Sequence, residues 1–467
     1  MISIQDIANR ELLDLVPYEP GKPVDDVARE LGLDPASIIK LASNENPLGP
    51  SPLAMAAMHK EIERSHFYPD GGGFHLRNAI AQKFGLSKEN VVLGNGSNEI
   101  IELLYHAFTR PGIHEIVTAR HAFAVYTLMA QLFGVRAIVV DDAHFTPDLP
   151  AMLRAITPQT RLIFLASPNN PTGTRVTNEA LDDFLRKLPQ HVIAVLDEAY
   201  YEFLDNPPDT VGYVKQGARV VLMRTFSKIQ GLAGLRIGYG LAPAEIADLL
   251  QRARQPFNAN AIAQAGAIAG LADTEHQAKT KAITDEGRKI IENAFAQMGL
   301  KYTPSSANFV LVHVGDGGEV FKRLMKKGII VRSMVSYHLP AYIRVSIGTP
   351  EQNARFLAEL PGALEGLVEF TPLPGGSDSV PTLTPPSPDS VSEVAAADPS
   401  GGSPSEIPSE KTAQPASGGP DNSLSGSPEA TGGHPETSAS PDNTSVARSA
   451  TATPEAAPAQ GPAPAAS

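Results

Sequence analysis

Between Thr225 and Arg236 the chain reads Thr-Phe-Ser-Lys-Ile-Gln-Gly-Leu-Ala-Gly-Leu-Arg, which gathers two hydroxyls, the Lys228 amine and, eight residues further on, a guanidinium. Gly231, Ala233 and Gly234 lie between amine and guanidinium, and residues that small let backbone approach a ligand. A lysine amine bonds covalently to a carbonyl as a Schiff base. Arginine and hydroxyls suit a phosphate. The stretch therefore fits one compact molecule with a carbonyl at one end and a phosphate at the other, and pyridoxal phosphate is the common biological molecule with both. Taken alone, the same residues also describe a surface lysine beside a glycine turn.

Three further segments add chemistry. In Leu93-Gly-Asn-Gly-Ser-Asn-Glu99 a glycine-rich turn leads from an apolar run into a helical pattern. The first helical N–H groups lack partners and the dipole is positive there, so a phosphate can rest on them, helped by Ser97 and Asn98. Ser and Asn are equally common helix N-caps. Ser167-Pro-Asn-Asn-Pro-Thr-Gly173 is a stiff loop able to fix an asparagine amide, or an ordinary turn. Asp197-Glu-Ala-Tyr200 follows the apolar run Val192–Leu196. A carboxylate there can pair with a protonated pyridine nitrogen, or stand as a solvated loop acid.

The elements that must position these residues follow from patterning. Strands are expected at Val91–Leu93, Glu115–Thr118, Ala137–Val140, Leu162–Ala166, Val192–Leu196, Val220–Met223 and Ile237–Leu241. Several are apolar without alternation, as strands covered on both faces are. A helix is expected over Asn98–Phe108, where Ile100, Ile101, Leu103, Leu104, Ala107 and Phe108 form one stripe. The alternation predicts an α/β fold: a mainly parallel seven-stranded sheet with helices on both faces, with ligands at the carboxyl ends of its strands. Past about residue 265 the pattern changes to a charged helix over Gln277–Met298, a strand at Asn308–Val314, a helix at Gly318–Lys327, strands at Ile329–Ser333 and Tyr342–Ile347, and a helix at Pro350–Leu360. The expected organisation is an N-terminal arm (1–45) joining a small α+β domain, a large ligand-binding domain (46–265), the small domain itself (266–370) and a tail (371–467).

Composition bounds the rest. A chain of 467 residues suggests two or three domains. The tail holds 11 acidic and 2 basic residues, 18 of the 41 prolines and no aromatic residue, too little apolar surface to offset the entropy of ordering it. It is expected to be disordered. The absence of cysteine excludes disulfides, thiolate metal sites and a cysteine nucleophile, and fits a reducing, cytoplasmic setting. No basic-then-apolar leader and no run of about 18 apolar residues is seen, so neither a secretory signal nor a membrane span is expected. The net charge of −13 argues against nonspecific nucleic-acid binding. The twelve histidines show no metal-ligand spacing, and no metal is assigned.

Together the four motifs, in this order, resemble the fold-type I pyridoxal-phosphate aminotransferases over about residues 35–360. The resemblance implies that Lys228 carries the cofactor and moves the proton, that Asp197 pairs with the pyridine nitrogen, and that Tyr200 and Asn170 hydrogen-bond the ring's phenolic oxygen. It implies phosphate binding by Arg236, Thr225, Ser227, Ser97 and the backbone at Asn98. Phe123, in His121-Ala-Phe-Ala-Val-Tyr126, matches the stacking aromatic, which is Tyr in many relatives. Arg344, in Tyr342-Ile-Arg-Val-Ser-Ile-Gly-Thr349, matches the arginine for the substrate carboxylate.

Within that superfamily Ala42-Ser-Asn-Glu-Asn-Pro-Leu-Gly-Pro-Ser51 and Tyr68-Pro-Asp-Gly-Gly-Gly-Phe74 are similar to segments of the histidinol-phosphate aminotransferases. That likeness implies a homodimer in which Tyr68 reaches the partner's cofactor phosphate. It also implies that Arg332 and Tyr18 join Arg344 around a substrate carrying phosphate in place of carboxylate, with 2-oxoglutarate as amino acceptor. Aromatic amino-acid aminotransferases, a phosphothreonine-type decarboxylase and a ligand-sensing regulator share enough of these features to remain open at this point.

Overall fold

The computed structural model describes residues 2–18 and 21–371. The expectation of a disordered tail falls, apart from Thr371, outside the described residues. Seven strands, β1 (Val91–Gly94), β2 (Glu115–Ala119), β3 (Arg136–Val140), β4 (Thr160–Ala166), β5 (Ile193–Asp197), β6 (Val220–Thr225) and β7 (Gly238–Leu241), form one sheet in the order β1-β7-β6-β5-β4-β2-β3. β7 runs antiparallel to both its neighbours, and the remaining pairs are parallel. Every expected strand is present, with ends moved by one or two residues.

The sheet is covered on both faces. Side chains alternate across a strand, so in β4 Leu162 and Phe164 enter one core while Ile163 and Leu165 enter the other, each 2% exposed or less. This is why the strands read as unbroken apolar runs. Helix α1 (Ser97–Phe108) packs Ile100, Ile101, Leu103 and Leu104 into the second core. Each such burial is worth about 1.5–3 kcal/mol. The N-cap of α1 is Gly96, which makes no side-chain cap bond, so capping by Ser97 or Asn98 does not occur. A missing cap costs about 1 kcal/mol; the buried face outweighs it several times over.

A second, antiparallel sheet contains β8 (Tyr302–Thr303), β9 (Phe309–His313), β10 (Arg332–Ser333) and β11 (Tyr342–Ser346) in the order β10-β11-β9-β8. Val310, Val312, Ile343 and Val345 turn into a third core against α2 (Thr274–Gln297) and α4 (Pro350–Leu364). The alternate residues Phe309, Leu311 and Arg344 point the other way. Helix α3 (Gly317–Lys326) packs on the same sheet.

Two sequence expectations need correction. Ile329–Ser333 is two short strands in different sheets. Ile329–Ile330 pairs in parallel with Ile39–Lys40, while Arg332–Ser333 pairs with β11. An unbroken apolar run carries no mark of a change of partner. Helix α4 continues beyond Leu360 through Pro361, because Ala363 and Leu364 are buried in the third core.

Candidate active site

The chemistry-bearing residues collect where strand ends place them. Asp197 is the last residue of β5 and Thr225 the last of β6. Ser97 opens the helix after β1, Phe123 follows β2, and Asn170 follows β4. All line one cavity with Tyr200, Ser227, Lys228 and Arg236, and Tyr18, Arg332 and Arg344 complete it. Of the residues named from sequence only Tyr68 lies elsewhere. It is 82% exposed and stacks on Phe257 at 4.8 Å.

The Lys228 amine is half-buried and donates to the Ser43 carbonyl at 3.2 Å. Burial, then the nearby Arg344 charge, pulls its pKa down to about 8. About a tenth is therefore the neutral, nucleophilic amine at pH 7, far more than for an ordinary lysine. Asp197 is 7% exposed. It accepts a 2.5 Å hydrogen bond from the Tyr126 hydroxyl and one of 3.1 Å from the Ala199 N–H. Burial raises its carboxyl above the usual range, and those two bonds oppose the rise. Such a carboxylate is desolvated and oriented, and it gains from a cation.

The Tyr200 hydroxyl accepts from Asn44 Nδ2 at 2.9 Å, and burial pushes its pKa up to about 12. Asn44 holds φ at +56°, a left-handed conformation that Asn tolerates and bulky residues avoid. Its backbone N–H donates to Ser346 Oγ, and its carbonyl accepts from Asn308 Nδ2. Asn44 thus ties the N-terminal arm, Tyr200 and the second sheet together.

At the opposite end the cavity is lined by backbone and small side chains. Thr225 Oγ1 lies 2.9 Å from Ser227 Oγ and accepts from the Ser227 N–H. Arg236, at φ +54°, donates to the Ala233 carbonyl. A Cβ on Gly96 would lie 2.4 Å from Arg236 Nη2, and one on Gly238 would lie 2.5 Å from the Ser97 N–H nitrogen. Gly96 also sits at φ +75°. Only glycine lets Arg236 and the start of α1 come this close.

The third side of the cavity is cationic. Arg332 and Arg344 are direct cross-strand partners on β10 and β11, 8% and 5% exposed. Their guanidinium groups come from neighbouring strands on one face of the sheet, so both can serve one anion. Arg344 donates to Asn170 Oδ1 and, at 2.7 Å, to the Ala42 carbonyl, and its Nε has no partner. The Tyr18 ring lies 5.8 Å from the Arg332 guanidinium and 6.4 Å from the Phe123 ring.

Sequence reasoning missed several contributors. Tyr126 ends the motif that holds Phe123, and its N–H donates to the Phe123 carbonyl at 3.2 Å, but nothing in that motif marks Asp197 as the partner of its hydroxyl. Asn44 and Ser43 gave no signal, since their partners lie more than a hundred residues away. Asn169, fully buried, holds the loop by donating to the His121 carbonyl and Thr172 Oγ1. Behind the site Arg224 is 2% exposed and donates to Glu198 at 2.8 Å, which locks the ends of β5 and β6 together.

The donor set fits pyridoxal phosphate at each end: an amine for the carbonyl, a buried carboxylate for a ring cation, and a glycine-lined helix terminus with hydroxyls and a guanidinium for the phosphate. Among the described residues no group of His, Asp or Glu is arranged to hold a metal ion, and no helix is long and apolar enough to cross a membrane.

Known proteins agree with this geometry. The histidinol-phosphate aminotransferase of Akkermansia muciniphila is 49% identical over 364 residues, spanning 78% of this chain and 100% of the relative. One from Pseudomonas fluorescens is 47% identical over 357 residues, 76% of this chain and 96% of the relative. Among solved structures, the Sinorhizobium meliloti histidinol-phosphate aminotransferase in complex with pyridoxal-5'-phosphate superposes with a TM-score of 0.71 at 28% identity, covering 77% of this chain and 98% of that one. The sequence profile of aminotransferase class I and II matches residues 36–360, the span that holds Lys228 and nearly every residue around it, and the chain belongs to that family.

Proposed function

We propose that this chain transfers the amino group of L-histidinol phosphate to 2-oxoglutarate, giving imidazole-acetol phosphate and L-glutamate, a step of histidine biosynthesis. The observation that carries the reading is the facing pair Arg332 and Arg344 at the open end of the Lys228 cavity. One guanidinium fork matches a carboxylate. Two on neighbouring strands match a phosphate dianion, and the same donors serve the carboxylates of 2-oxoglutarate and glutamate. The similarity to histidinol-phosphate aminotransferases supports the same substrate.

Pyridoxal phosphate, when bound, supplies an electrophilic carbon and an electron-withdrawing ring. Lys228 would hold it through its amine, and that amine, once free, would be the base that accepts the proton from the donor Cα and later gives it back. Asp197, oriented by Tyr126, balances the charge on the ring nitrogen. Tyr200 and Asn170 hold the ring oxygen, and Phe123 covers the ring face. Ser97, the Asn98 N–H, Thr225, Ser227 and Arg236 hold the phosphate. 2-Oxoglutarate takes up the amino group in the second half, so the kinetics are ping-pong.

The reading extends to assembly. The working enzyme in this reading is a cytoplasmic homodimer with shared sites, in which Tyr68 serves the second copy; its exposure and its stack on Phe257 are compatible with that role. Residues 46–265 and 266–370 act as large and small domains, the arm 1–45 belonging with the small one.

A donor panel tests the substrate. The holoenzyme is expected to convert L-histidinol phosphate with far higher kcat/KM than L-phenylalanine, and to release no carbon dioxide from threonine phosphate. Preference for phenylalanine would make it an aromatic aminotransferase instead.

A further inference from the structure

The hairpin joining β10 to β11 contains a group that the proposed reaction leaves without a task. Tyr337 ends the 3-10 turn Val335–Tyr337 and is 6% exposed, yet its hydroxyl meets no hydrogen-bond partner. A buried hydroxyl that has lost water and gained nothing is destabilising, and such an atom calls for an explanation. Its surroundings supply one. Tyr337 belongs to a small apolar cluster with Leu311, Met334 and Leu339, and Ala124 packs against that cluster. Leu311 faces Arg344 across β9 and β11, and Arg344 faces Arg332 across β11 and β10. These three side chains therefore stand in one row on one face of the sheet. Ala124 directly follows Phe123, which lines the cavity. Tyr337 thus stands behind the residues that line the cavity, and four of those, Tyr18, Arg344, Arg332 and Tyr200, are the titratable groups that act on its phenol. Arg344 Nε is a second buried N–H on that row without a partner.

We propose that the Tyr337 hydroxyl is a specificity-determining donor that completes the site for a phosphate monoester where an amino-acid donor would place its carboxylate, an inference that rests on the substrate reading above. A carboxylate offers two coplanar oxygens, which one guanidinium fork satisfies. A phosphate monoester offers three terminal oxygens in a tetrahedral array, which the forks of two neighbouring arginines on one sheet face do not fill alone. The phenol arrives from the hairpin rather than from the strands. With the anion on the arginines and Tyr18, the phenol supplies the donor for the remaining oxygen, and its own unmet bond is made. Burial, with the Tyr18 hydroxyl nearby, holds the phenol well above its ordinary pKa, so it stays protonated and able to donate.

The test uses the cofactor-loaded holoenzyme and Tyr337→Phe, which removes only the orphaned oxygen. The KM for L-histidinol phosphate is expected to rise about tenfold, the worth of one hydrogen bond to a charged group. The kcat, and the KM for L-phenylalanine and L-glutamate, should change little, and competitive inhibition by inorganic phosphate should weaken in parallel. The melting temperature of the substrate-free variant should match or exceed the parent's, because an unmet polar group is gone. Equal losses with phosphorylated and carboxylate donors would assign Tyr337 to the fold alone and overturn the inference, as would unchanged kinetics with all three. If the parent enzyme does not use histidinol phosphate, the substrate reading fails by itself. Inhibition by inorganic phosphate then decides, and equal inhibition of parent and variant sinks the proposal.

Discussion

At the cradle end of the cavity, Gly96, Gly238 and Arg236 pack so closely that a single added Cβ collides with a guanidinium or an amide nitrogen. At the other end, two arginines of one hairpin and a tyrosine of the N-terminal arm, two distant stretches of chain, meet through long side chains. The first end is fixed by backbone and strand order, and it suits a molecule that never changes. The second is fixed by register between β10 and β11 and by an N-terminal arm, and it suits partners that alternate between phosphate and carboxylate. A site of this kind separates what is held permanently from what is exchanged.

Substitutions can break or sharpen that contrast. Lys228→Ala removes the covalent anchor and the base together, and turnover is expected to fall by several orders of magnitude with every donor. Near-normal rates in a steady-state assay would falsify its role. Asp197→Asn should cost roughly a hundredfold in kcat, as loss of a buried electrostatic partner does, and should loosen the cofactor during dialysis. Unchanged spectra and kinetics would remove Asp197 from the site. Arg332→Ala belongs to the exchanging end, so its effect should depend on the donor: about tenfold or more in KM for histidinol phosphate and clearly less for phenylalanine. Equal effects on both would deny the contrast.

The smallest expected effect is one of pH. Burial lowers the Lys228 pKa from 10.5 to about 8, so the amine is an ammonium below that pH and free above it. In cofactor-free protein, acetylation at residue 228 followed by mass spectrometry should rise with pH and level off above about 8. A rise that continues as for exposed lysines would show that burial does not tune this amine.

Much of the fixed end was legible in the sequence because its parts are local. Thr225, Ser227, Lys228 and Arg236 lie in one short motif, and Ser97 and Asn98 follow a glycine turn. Strand ends then carry such motifs to a common edge by a general rule of α/β sheets. The Asp197 partner was not legible, because Tyr126 reaches it across 71 residues. Nor was Asn44, whose left-handed backbone and three contacts exist only once two sheets and the arm are in place. The division of Ile329–Ser333 between sheets was hidden for a related reason. Apolar residues fill either ladder equally well, and only the competing partner, Ile39–Lys40, decides.

That ladder gives the opening stretch of the chain a practical importance. Ile39–Lys40 grips the strand lying one residue ahead of Arg332, and Asn44 a little further on grips Tyr200. A protein clipped by protease ahead of Pro47, or expressed from a start codon set too far downstream, would keep Lys228 but lose the Ser43 carbonyl and the Asn44 amide that hold Lys228 and Tyr200. It would also lose the ladder that orders the chain just ahead of Arg332, so the mass of the opening stretch is worth checking before any rate is measured.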